Sequence, residues 1–320
     1  MGCRRPAEHC PHPEAQVLTA DLIRECPRSL RAPLARYLSG EASGEITLMH
    51  FALQFGDAGL LGSLLATLAG MAPGRKELAD LLSLAETNRN DLAQVTALAE
   101  DGLVNILPNE GDAVTAIREQ FDRAVAIAPE ASVALYSLGS ANILDRATSE
   151  IATCLVHWGL LRPDATVLDI GCGIGRIERA LAPMVGTITA IDVSPGMIEE
   201  ARRRCRDLAN VAFEQCGGCD LAGFRDRSFD LVLAVDSFPY LFAAGPEIVA
   251  RHLRDAARVL RPGGAVVILN LSYRGDEEAD RRDLERLAGI NGFTIRRAGT
   301  RDFTLWDGLT FLLTIPAHRE

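Results

Sequence analysis

Lysine is almost absent from this chain of 320 residues: Lys76 is the single lysine, and arginine supplies every other strongly basic side chain. We attribute this bias to genomic base composition and not to a mechanism. Aromatic residues are also few, at 5%, although hydrophobic residues make up 48% of the chain and charged residues 24%. Such a composition excludes a disordered, collagenous or coiled-coil protein and predicts a folded globular chain.

The sequence has no hydrophobic run that predicts a membrane span. Residues 58–71, the longest uncharged apolar run of the N-terminal half, fall short of the roughly 18 to 20 residues that a bilayer requires. Two arginines near the N-terminus have no apolar segment after them, and Pro6 stands where a myristoylation signal has serine or threonine. We therefore expect a cytoplasmic protein with no membrane partner. Its 8 irregularly spaced cysteines are then expected to be reduced thiols.

Acidic residues outnumber basic ones by 43 to 33, which gives a formal net charge of -10. Residues 1–150 carry -8 of this charge, and residues 151–320 carry -2. An acidic protein repels the phosphate backbone of nucleic acids, so the average charge argues against a DNA or RNA partner. A local arginine patch would override this average.

The chain shows two different sequence patterns, and its length is about twice that of an average domain. Residues 1–16 contain three prolines and are expected to form a flexible tail. Residues 17–144 carry apolar side chains at three- and four-residue steps, which predicts an all-α N-terminal domain. In residues 145–320, short β-branched runs alternate with helical segments, the pattern of an α/β fold with a parallel sheet. We place strands at residues 166–170, 187–192, 211–215, 229–236, 265–270, 293–298 and 309–315.

The helical half leaves alternatives open. Residues 75–106 fit a helix-turn-helix with a short strand, but they also fit a plain bundle, which we favour because no basic recognition helix is present. We expect this domain to form a lid over the substrate or a surface for homodimerisation. Near the N-terminus four residues of zinc-ligating types lie close together, although their spacing matches no standard finger: Cys3, His9, Cys10 and His12.

Three alternating glycines, Gly171, Gly173 and Gly175, follow the first strand. A loop without Cβ atoms turns tightly and approaches a ligand closely, and the helix predicted over residues 177–181 would present free N–H groups to that ligand. The second strand ends in Asp192, 21 positions after Gly171. Dinucleotide-binding folds carry a carboxylate at this place, where it accepts hydrogen bonds from ribose hydroxyls. The pattern therefore predicts a cradle for a nucleotide cofactor.

Four motifs in this half occur in the order and at the intervals found in one family. They are Asp-Ile-Gly-Cys-Gly-Ile-Gly at residues 169–175, Ile-Asp-Val-Ser-Pro-Gly-Met at 191–197, Ser-Phe-Asp-Leu-Val at 228–232 and Arg-Val-Leu-Arg-Pro-Gly-Gly at 258–264. Through them, residues 147–320 resemble the class I S-adenosylmethionine-dependent methyltransferases. The resemblance implies a Rossmann-like sheet of seven strands, the last one reversed, with helices on both faces.

The resemblance also implies a cofactor and the residues that hold it. S-adenosylmethionine would be converted to S-adenosylhomocysteine, with Asp192 on its ribose and with Val193 and Met197 packed against its adenine. The family's Gly-Asp pair after the third strand finds its best match, slightly shifted, in Asp220, which would meet the adenine amino group. The full implied set is Asp169, Gly171, Cys172, Gly173, Gly175, Asp192, Val193, Met197, Asp220, Leu221 and Asp236.

Cys216 and Cys219 form a Cys-x-x-Cys pair close to the expected adenine pocket. Some family members methylate metalloids through paired cysteines, so a soft-metal or arsenic site is one interpretation. The other is an ordinary loop, which we favour because two thiols leave a tetrahedral metal short of ligands. We therefore predict no metal site.

Substrate groups are expected at the carboxyl ends of the fourth and fifth strands, where open α/β sheets bind ligands. Asp236 is the first candidate for a polar group that faces the transferred methyl, and Tyr240 is the second. The predicted rim combines aromatic rings with one guanidinium that would hold a substrate carboxylate: Tyr240, Tyr273, Arg274 and Trp306.

The catalytic histidine that plant-type O-methyltransferases place just after the fourth strand is missing, because residues 241–242 are Leu-Phe. We interpret His252, further along, as a helix-packing residue. Tyr136 precedes the sheet, in a segment that covers the cofactor in many family members. By analogy, we expect Tyr136 at the methionine end of the cofactor and among the substrate contacts.

These observations predict a cytoplasmic S-adenosylmethionine-dependent methyltransferase (EC 2.1.1.-) that acts on a small molecule, with the accepting atom (O, N, C or S) left open. One alternative is a protein or RNA methyltransferase that docks through the helical domain, which an arginine patch at residues 202–206 or 281–286 would favour. The other is a non-catalytic sensor of S-adenosylmethionine whose helix-turn-helix reads DNA.

Overall fold

The computed structural model describes residues 22–100, 102 and 112–317. Up to residue 157 this part is helical, as predicted. After a helical segment at residues 22–25, its α-helices are α1 Arg31–Leu38, α2 Gly44–Phe55, α3 Ala58–Met71, α4 Lys76–Thr87, α5 Arg89–Glu100, α6 Ala113–Ile127, α7 Pro129–Val133 and α8 Ala141–His157. None of the helices within the described ranges is long and apolar enough to cross a membrane. The predicted tail, the four zinc-ligating residue types and most of the short strand after the helix-turn-helix lie outside the described residues.

Local sequence signals fix the ends of these helices. Ser43 accepts a backbone hydrogen bond at the start of α2, and Asp57 does the same at the start of α3. Gly56, with a φ of 65°, ends α2 in the left-handed conformation that favours glycine. The apolar faces pack together in one core that includes the fully buried Phe51 and Leu61. Burial of these faces, more than local propensity, stabilises helices of this length.

A seven-stranded sheet follows: β1 Thr166–Ile170, β2 Thr187–Asp192, β3 Val211–Gln215, β4 Phe229–Val235, β5 Leu260–Leu269, β6 Thr294–Thr300 and β7 Thr310–Thr314. The strand order is β3-β2-β1-β4-β5-β7-β6. Strands β1 to β5 pair in parallel, whereas β7 runs antiparallel to both β5 and β6. The α/β class, the seven strands and the reversed last strand are confirmed.

Strand β5 begins earlier than the sequence predicts. Leu260 already pairs with Phe229, and the register then shifts before Leu231 pairs with Ala265. The Pro-Gly-Gly run at residues 262–264 is typical of a loop, but here the extended chain accommodates it as an irregularity at the start of the strand.

Both faces of the sheet are covered. Five helices lie between or after the strands: α9 Arg176–Leu181, α10 Pro195–Arg204, α11 Phe238–Ala244, α12 Pro246–Val259 and α13 Glu277–Ile290. Along β1, Val167 belongs to one core and Leu168 to the other, as alternation in a doubly covered sheet requires. The core on the Val167 side also takes in Ile46 of α2 and Ile151 of α8. The helical region therefore packs directly on the sheet. Helix α8 crosses the predicted domain boundary at residue 144, and that division stays a prediction.

Candidate active site

A cavity of about 830 Å³ opens at the carboxyl ends of β1, β2, β4 and β5. Its walls come from both halves of the described chain, because α2, α6 and the turn at residues 133–136 face the strand ends. Open α/β sheets bind ligands at this edge. The cavity thus lies where the sequence predicts the ligand site, at the carboxyl ends of the strands. The sequence did not predict that α2 would form part of its wall.

The glycine loop after β1 forms one end of the cavity. Gly171 and Gly173 line it, with φ values of 78° and 53°. A Cβ on Gly171 would lie 2.4 Å from the Cβ of Ser237, and one on Gly173 would lie 2.6 Å from Cγ1 of Val133. Both the backbone conformation and the lack of space therefore require glycine. Cys172 is buried and, like Gly175, is not among the lining residues.

Asp192 presents a carboxylate group at the cavity wall. Its Oδ2 accepts the N–H of Gly173 at 3.0 Å, and its Oδ1 accepts the N–H of Ser194 at 2.9 Å. Burial raises the pKa of Asp192 to about 6. Each carboxylate oxygen keeps a further lone pair, and the side chain lines the cavity beside Val193 and Met197. The glycine cradle, the carboxylate and the apolar wall together fit the groups of S-adenosylmethionine.

Asp169 lies away from the cavity. Its side chain points into the protein and contacts the carboxyl group of Glu178, and both residues are almost completely buried. Burial, together with the nearby Asp169 carboxyl, raises the pKa of Glu178 well above its ordinary value. Asp169 is therefore a buried residue that does not line the cavity. Its carboxyl partner was missed by sequence reasoning.

The loop after β3 departs from the expected arrangement. Asp220 is exposed, accepts the N–H of Ala222 at 3.1 Å and does not line the cavity. Leu221 is buried in the core on the other side of the sheet. Cys216 and Gly218 line the cavity in their place. The shifted match to the Gly-Asp motif therefore does not bring its carboxylate to the cavity wall.

Cys216 is half-buried, and burial raises the pKa of its thiol to about 11. Its partner in the Cys-x-x-Cys pair, Cys219, is exposed and does not line the cavity. Within residues 22–100, 102 and 112–317, no three His, Cys, Asp or Glu side chains converge as metal ligands. The described geometry gives the paired cysteines no further metal ligand.

Asp236 follows β4 and lines the cavity. Its Oδ1 accepts hydrogen bonds from Nδ2 of Asn270 at 3.1 Å and from Oη of Tyr273 at 2.5 Å. Burial raises the pKa of Asp236. Asn270, at the end of the neighbouring β5, was not predicted as a site residue. The signal for it was its position, a polar side chain directly after a buried strand.

The structure brings four of the predicted aromatic residues to one cavity. The ring of Tyr240 stands edge-on to those of Tyr273 and Phe121, with centroids 6.0 and 4.7 Å away. Tyr136 stacks on Trp306 at 5.8 Å, and both of these rings are more deeply buried. Phe121, from α6, was missed because no motif marks the helical half.

Arg274 is not brought to the cavity. Its Nε bonds to Asp280 and its Nη1 to Asp283, each at 2.7 Å, and its guanidinium lies over the ring of Phe242. With two carboxylates already on this guanidinium, the predicted contact to a substrate carboxylate has no support in the geometry.

Helices of the N-terminal half contribute polar groups that the sequence did not reveal. Arg36 of α1 and His50 of α2 both line the cavity, and Nη2 of Arg36 lies 3.7 Å from Oδ2 of Asp307. Burial lowers the pKa of His50, so its imidazole is neutral near pH 7. His252 also lines the cavity, while its Nδ1 lies 2.9 Å from the carbonyl oxygen of Ile248 in its own helix.

Hydrogen bonds join helix α6 to the start of α10, the helix that follows β2. Oδ1 of Asp122 accepts hydrogen bonds from Oγ of Ser194 at 2.6 Å and from the N–H of Gly196 at 3.0 Å. Ser194 in turn accepts the N–H of Met197, whose side chain lines the expected adenine pocket. One wall of the cavity therefore comes from a segment outside the recognised motifs.

The family model described as "Methyltransferase domain" matches residues 168–268. Demethylmenaquinone methyltransferase of Tropheryma whipplei is 38% identical over 107 residues, 33% of this chain and 42% of that protein. The 2-methyl-6-phytyl-1,4-hydroquinone methyltransferase of Synechocystis is 33% identical over 128 residues, 39% of this chain and 38% of that protein. The chain thus spans about two fifths of the length of these curated relatives.

Among solved structures, magnesium protoporphyrin IX methyltransferase of Synechocystis, with bound S-adenosylmethionine, aligns with a TM-score of 0.47 and 21% identity. The alignment covers 65% of this chain and 99% of that one. The matched family model coincides with the stretch from β1 to β5, where the four sequence motifs lie. The family match to residues 168–268 confirms, for this part of the chain, the predicted resemblance to the class I S-adenosylmethionine-dependent methyltransferases.

Proposed function

We propose that this protein transfers a methyl group from S-adenosylmethionine to a small-molecule acceptor. The observation that carries the proposal is a single cavity in which the Gly171–Gly173 cradle and Asp192 share space with Asp236 and the tyrosine cluster. Cofactor groups and reacting groups must meet in one enclosed space, because methyl transfer is an in-line displacement that depends on alignment. The curated relatives named above are methyltransferases of quinone or hydroquinone compounds by name, which agrees with a small acceptor.

The residues of this chain would align the reactants and exclude water. Bound S-adenosylmethionine supplies an electrophilic methyl group on a sulfonium, so the protein needs no further activation of the donor. Asp192 would accept hydrogen bonds from the ribose hydroxyls of the cofactor. Gly171 and Gly173 would let the backbone lie close to the cofactor's methionine portion. Asp236 accepts a proton from the acceptor or orients it, and Tyr273 and Asn270 hold that carboxylate in place.

The arginine patches do not favour a nucleic acid as the methyl acceptor. Arg203 and Arg204 both pair with Glu200, and Arg281 pairs with Glu277 and Glu278. Part of the positive charge of these patches is therefore compensated. We propose that the helical half is a lid over the acceptor, because α2 and α6 line the cavity. The cytoplasmic location and homodimerisation through this half remain part of the proposal.

The proposal is tested by incubating the protein with methyl-labelled S-adenosylmethionine and sets of small hydroquinones, phenols, amines and thiols. We expect S-adenosylhomocysteine to form only when an acceptor is present, and the D192A variant to form none. Absence of saturable S-adenosylmethionine binding to the wild-type protein would refute the proposal. Equal labelling of bulk RNA or protein instead of a small acceptor would refute the small-molecule assignment.

A further inference from the structure

The two carboxylate oxygens of Asp236 differ: Oδ1 accepts two hydrogen bonds, and Oδ2 has no described donor. Both described donors, Asn270 and Tyr273, bond to Oδ1, and no described residue donates a hydrogen bond to Oδ2. Asp236 and Asn270 adopt left-handed backbone conformations, with φ of 59° and 74°. Such conformations are unfavourable for residues other than glycine and persist where the surrounding structure imposes them. Two strained strand ends therefore place Asp236 and its donor Asn270 on the cavity wall.

Aromatic rings stand next to this carboxylate. The hydroxyl of Tyr273 bonds to Asp236, and the rings of Tyr273, Tyr240 and Phe121 follow one another edge to face. Half of the Tyr273 surface is exposed, although the residue lines the cavity. Ring faces attract cations, and the attraction is stronger where water is excluded. A carboxylate beside several tyrosine rings is thus suited to an ammonium group.

The charged side chains of the cavity wall also favour an ammonium group. Six carboxyl side chains and two guanidinium groups line it: Asp192, Asp236, Asp276, Glu277, Asp280, Asp307, Arg36 and Arg301. Both arginines are themselves paired, Arg36 with Asp307 and Arg301 with Glu277. Arg274, outside the wall, neutralises one more carboxyl group, and the cofactor's sulfonium would offset another. Three wall carboxyl groups, those of Asp192, Asp236 and Asp276, have no described arginine within salt-bridge distance, although Glu277 also pairs with Arg281 and the charge of Arg176 reaches Asp236. These three carboxyl groups favour a cationic ligand over an anionic one.

We propose that the methyl acceptor is an amine, bound as an ammonium ion between Oδ2 of Asp236 and the rings of Tyr240 and Tyr273. This inference rests on the proposed methyl transfer and selects nitrogen among the accepting atoms. The ammonium gives one proton to Oδ2 of Asp236, and the freed nitrogen lone pair forms a bond to the methyl carbon. The nitrogen thereby displaces the cofactor's sulfur, which keeps the electron pair of the broken C–S bond and becomes a neutral thioether.

Three probes of one shape and different charge test the inference. Benzylamine, benzyl alcohol and benzoate are titrated by calorimetry, near neutral pH, into protein saturated with S-adenosylhomocysteine. We expect benzylamine to bind about tenfold or more tightly than either of the others. Equal binding of the three, absence of benzylamine binding, or a preference for benzyl alcohol or benzoate would each overturn the inference while leaving the proposed function intact.

Asp236→Asn supplies the matched variant, and Asp220→Asn supplies the control, because Asp220 is exposed and outside the cavity. We expect the preference for benzylamine to vanish in D236N and to persist in D220N. A preference that survives in D236N contradicts the assignment of Oδ2 as the ammonium partner. The titration with S-adenosylhomocysteine that precedes each experiment reports separately on the proposed function, whose failure would remove both claims.

Discussion

Buried carboxyl groups around the cavity are the main electrostatic feature at the scale of single residues. Desolvation raises the pKa of Glu178, Asp169, Asp192 and Asp236 alike. Their partners differ: Asp192 and Asp236 receive hydrogen bonds, whereas the carboxyl oxygens of Glu178 have no donor among the described residues. Glu178 is therefore the group in this set that holds its proton most firmly.

The pH dependence of stability is predicted to change in Glu178→Gln. The folded-state pKa of Glu178 is raised, so its contribution to stability is greatest below the unfolded pKa and is lost as the pH rises toward the folded pKa. Over that range the wild-type free energy of unfolding would fall by up to about 1.4 kcal/mol per pH unit from this one group. Glutamine does not titrate, and it can donate to Asp169.

Urea unfolding at acidic, neutral and alkaline pH measures this effect. We expect E178Q to match the wild type near pH 5 and to become the more stable protein as the pH rises. Parallel pH profiles for the two proteins would show that Glu178 ionises normally in the folded state. E199Q is a suitable control, because Glu199 is exposed on α10.

At the scale of elements, the contact between α6 and α10 links the helical half to Met197 on the cavity wall. Asp122→Ala removes the acceptor of Ser194 Oγ and of the Gly196 N–H. We expect a loss of about 2 kcal/mol in the free energy of unfolding, since hydrogen bonds to a charged group are lost. Affinity for S-adenosylhomocysteine should fall as well, because Ser194 also orients Met197.

Chemical denaturation and calorimetry of D122A check these two expectations together. D207A, which breaks the exposed Arg179–Asp207 pair, is the control and should resemble the wild type in both measurements. Unchanged cofactor affinity in D122A would mean that α6 and the adenine pocket are independent.

Element types were largely predictable from sequence, because hydrophobic alternation and glycine motifs are local. Strands β1 to β3 were predicted with the bounds that the structure has. The glycine cradle and Asp192 followed from the same motif spacing. The place of Asp220 could not be predicted, because a shift of a few residues in a loop decides whether a carboxylate faces the cavity. Phe121 and His50 could not be predicted from the sequence, since tertiary packing alone brings α6 and α2 to the strand ends.

At the scale of the whole molecule, one cavity is lined by two regions that differ in net charge and in secondary structure. Ile46, Val125 and Tyr136 of the helical region share a core with the sheet. Arg204 of α10 pairs with Glu130 of α7, and Glu150 of α8 accepts the N–H of Leu305 near β7. The acidic helical half is thus part of the cavity wall, which extends the sequence-based expectation of a lid.

Ligand binding should therefore stabilise the helical half as well as the sheet. At a ligand concentration 100 times the Kd, S-adenosylhomocysteine would add about 2.7 kcal/mol to the free energy of unfolding. We expect hydrogen exchange in α6 and in the turn around Val133 to slow on binding, because Val133 contacts Gly173. Protection confined to residues 166–314 would contradict the proposed lid.

The central claim, a cofactor site built on Asp192, is tested most directly by calorimetric titration of S-adenosylhomocysteine into three proteins. Wild type and D220A should bind with equal affinity, because Asp220 lies outside the cavity. D192A should lose binding, because the ribose hydroxyls lose their acceptor and the N–H of Gly173 loses its partner. Unchanged affinity in D192A, or a loss in D220A instead, would contradict the account.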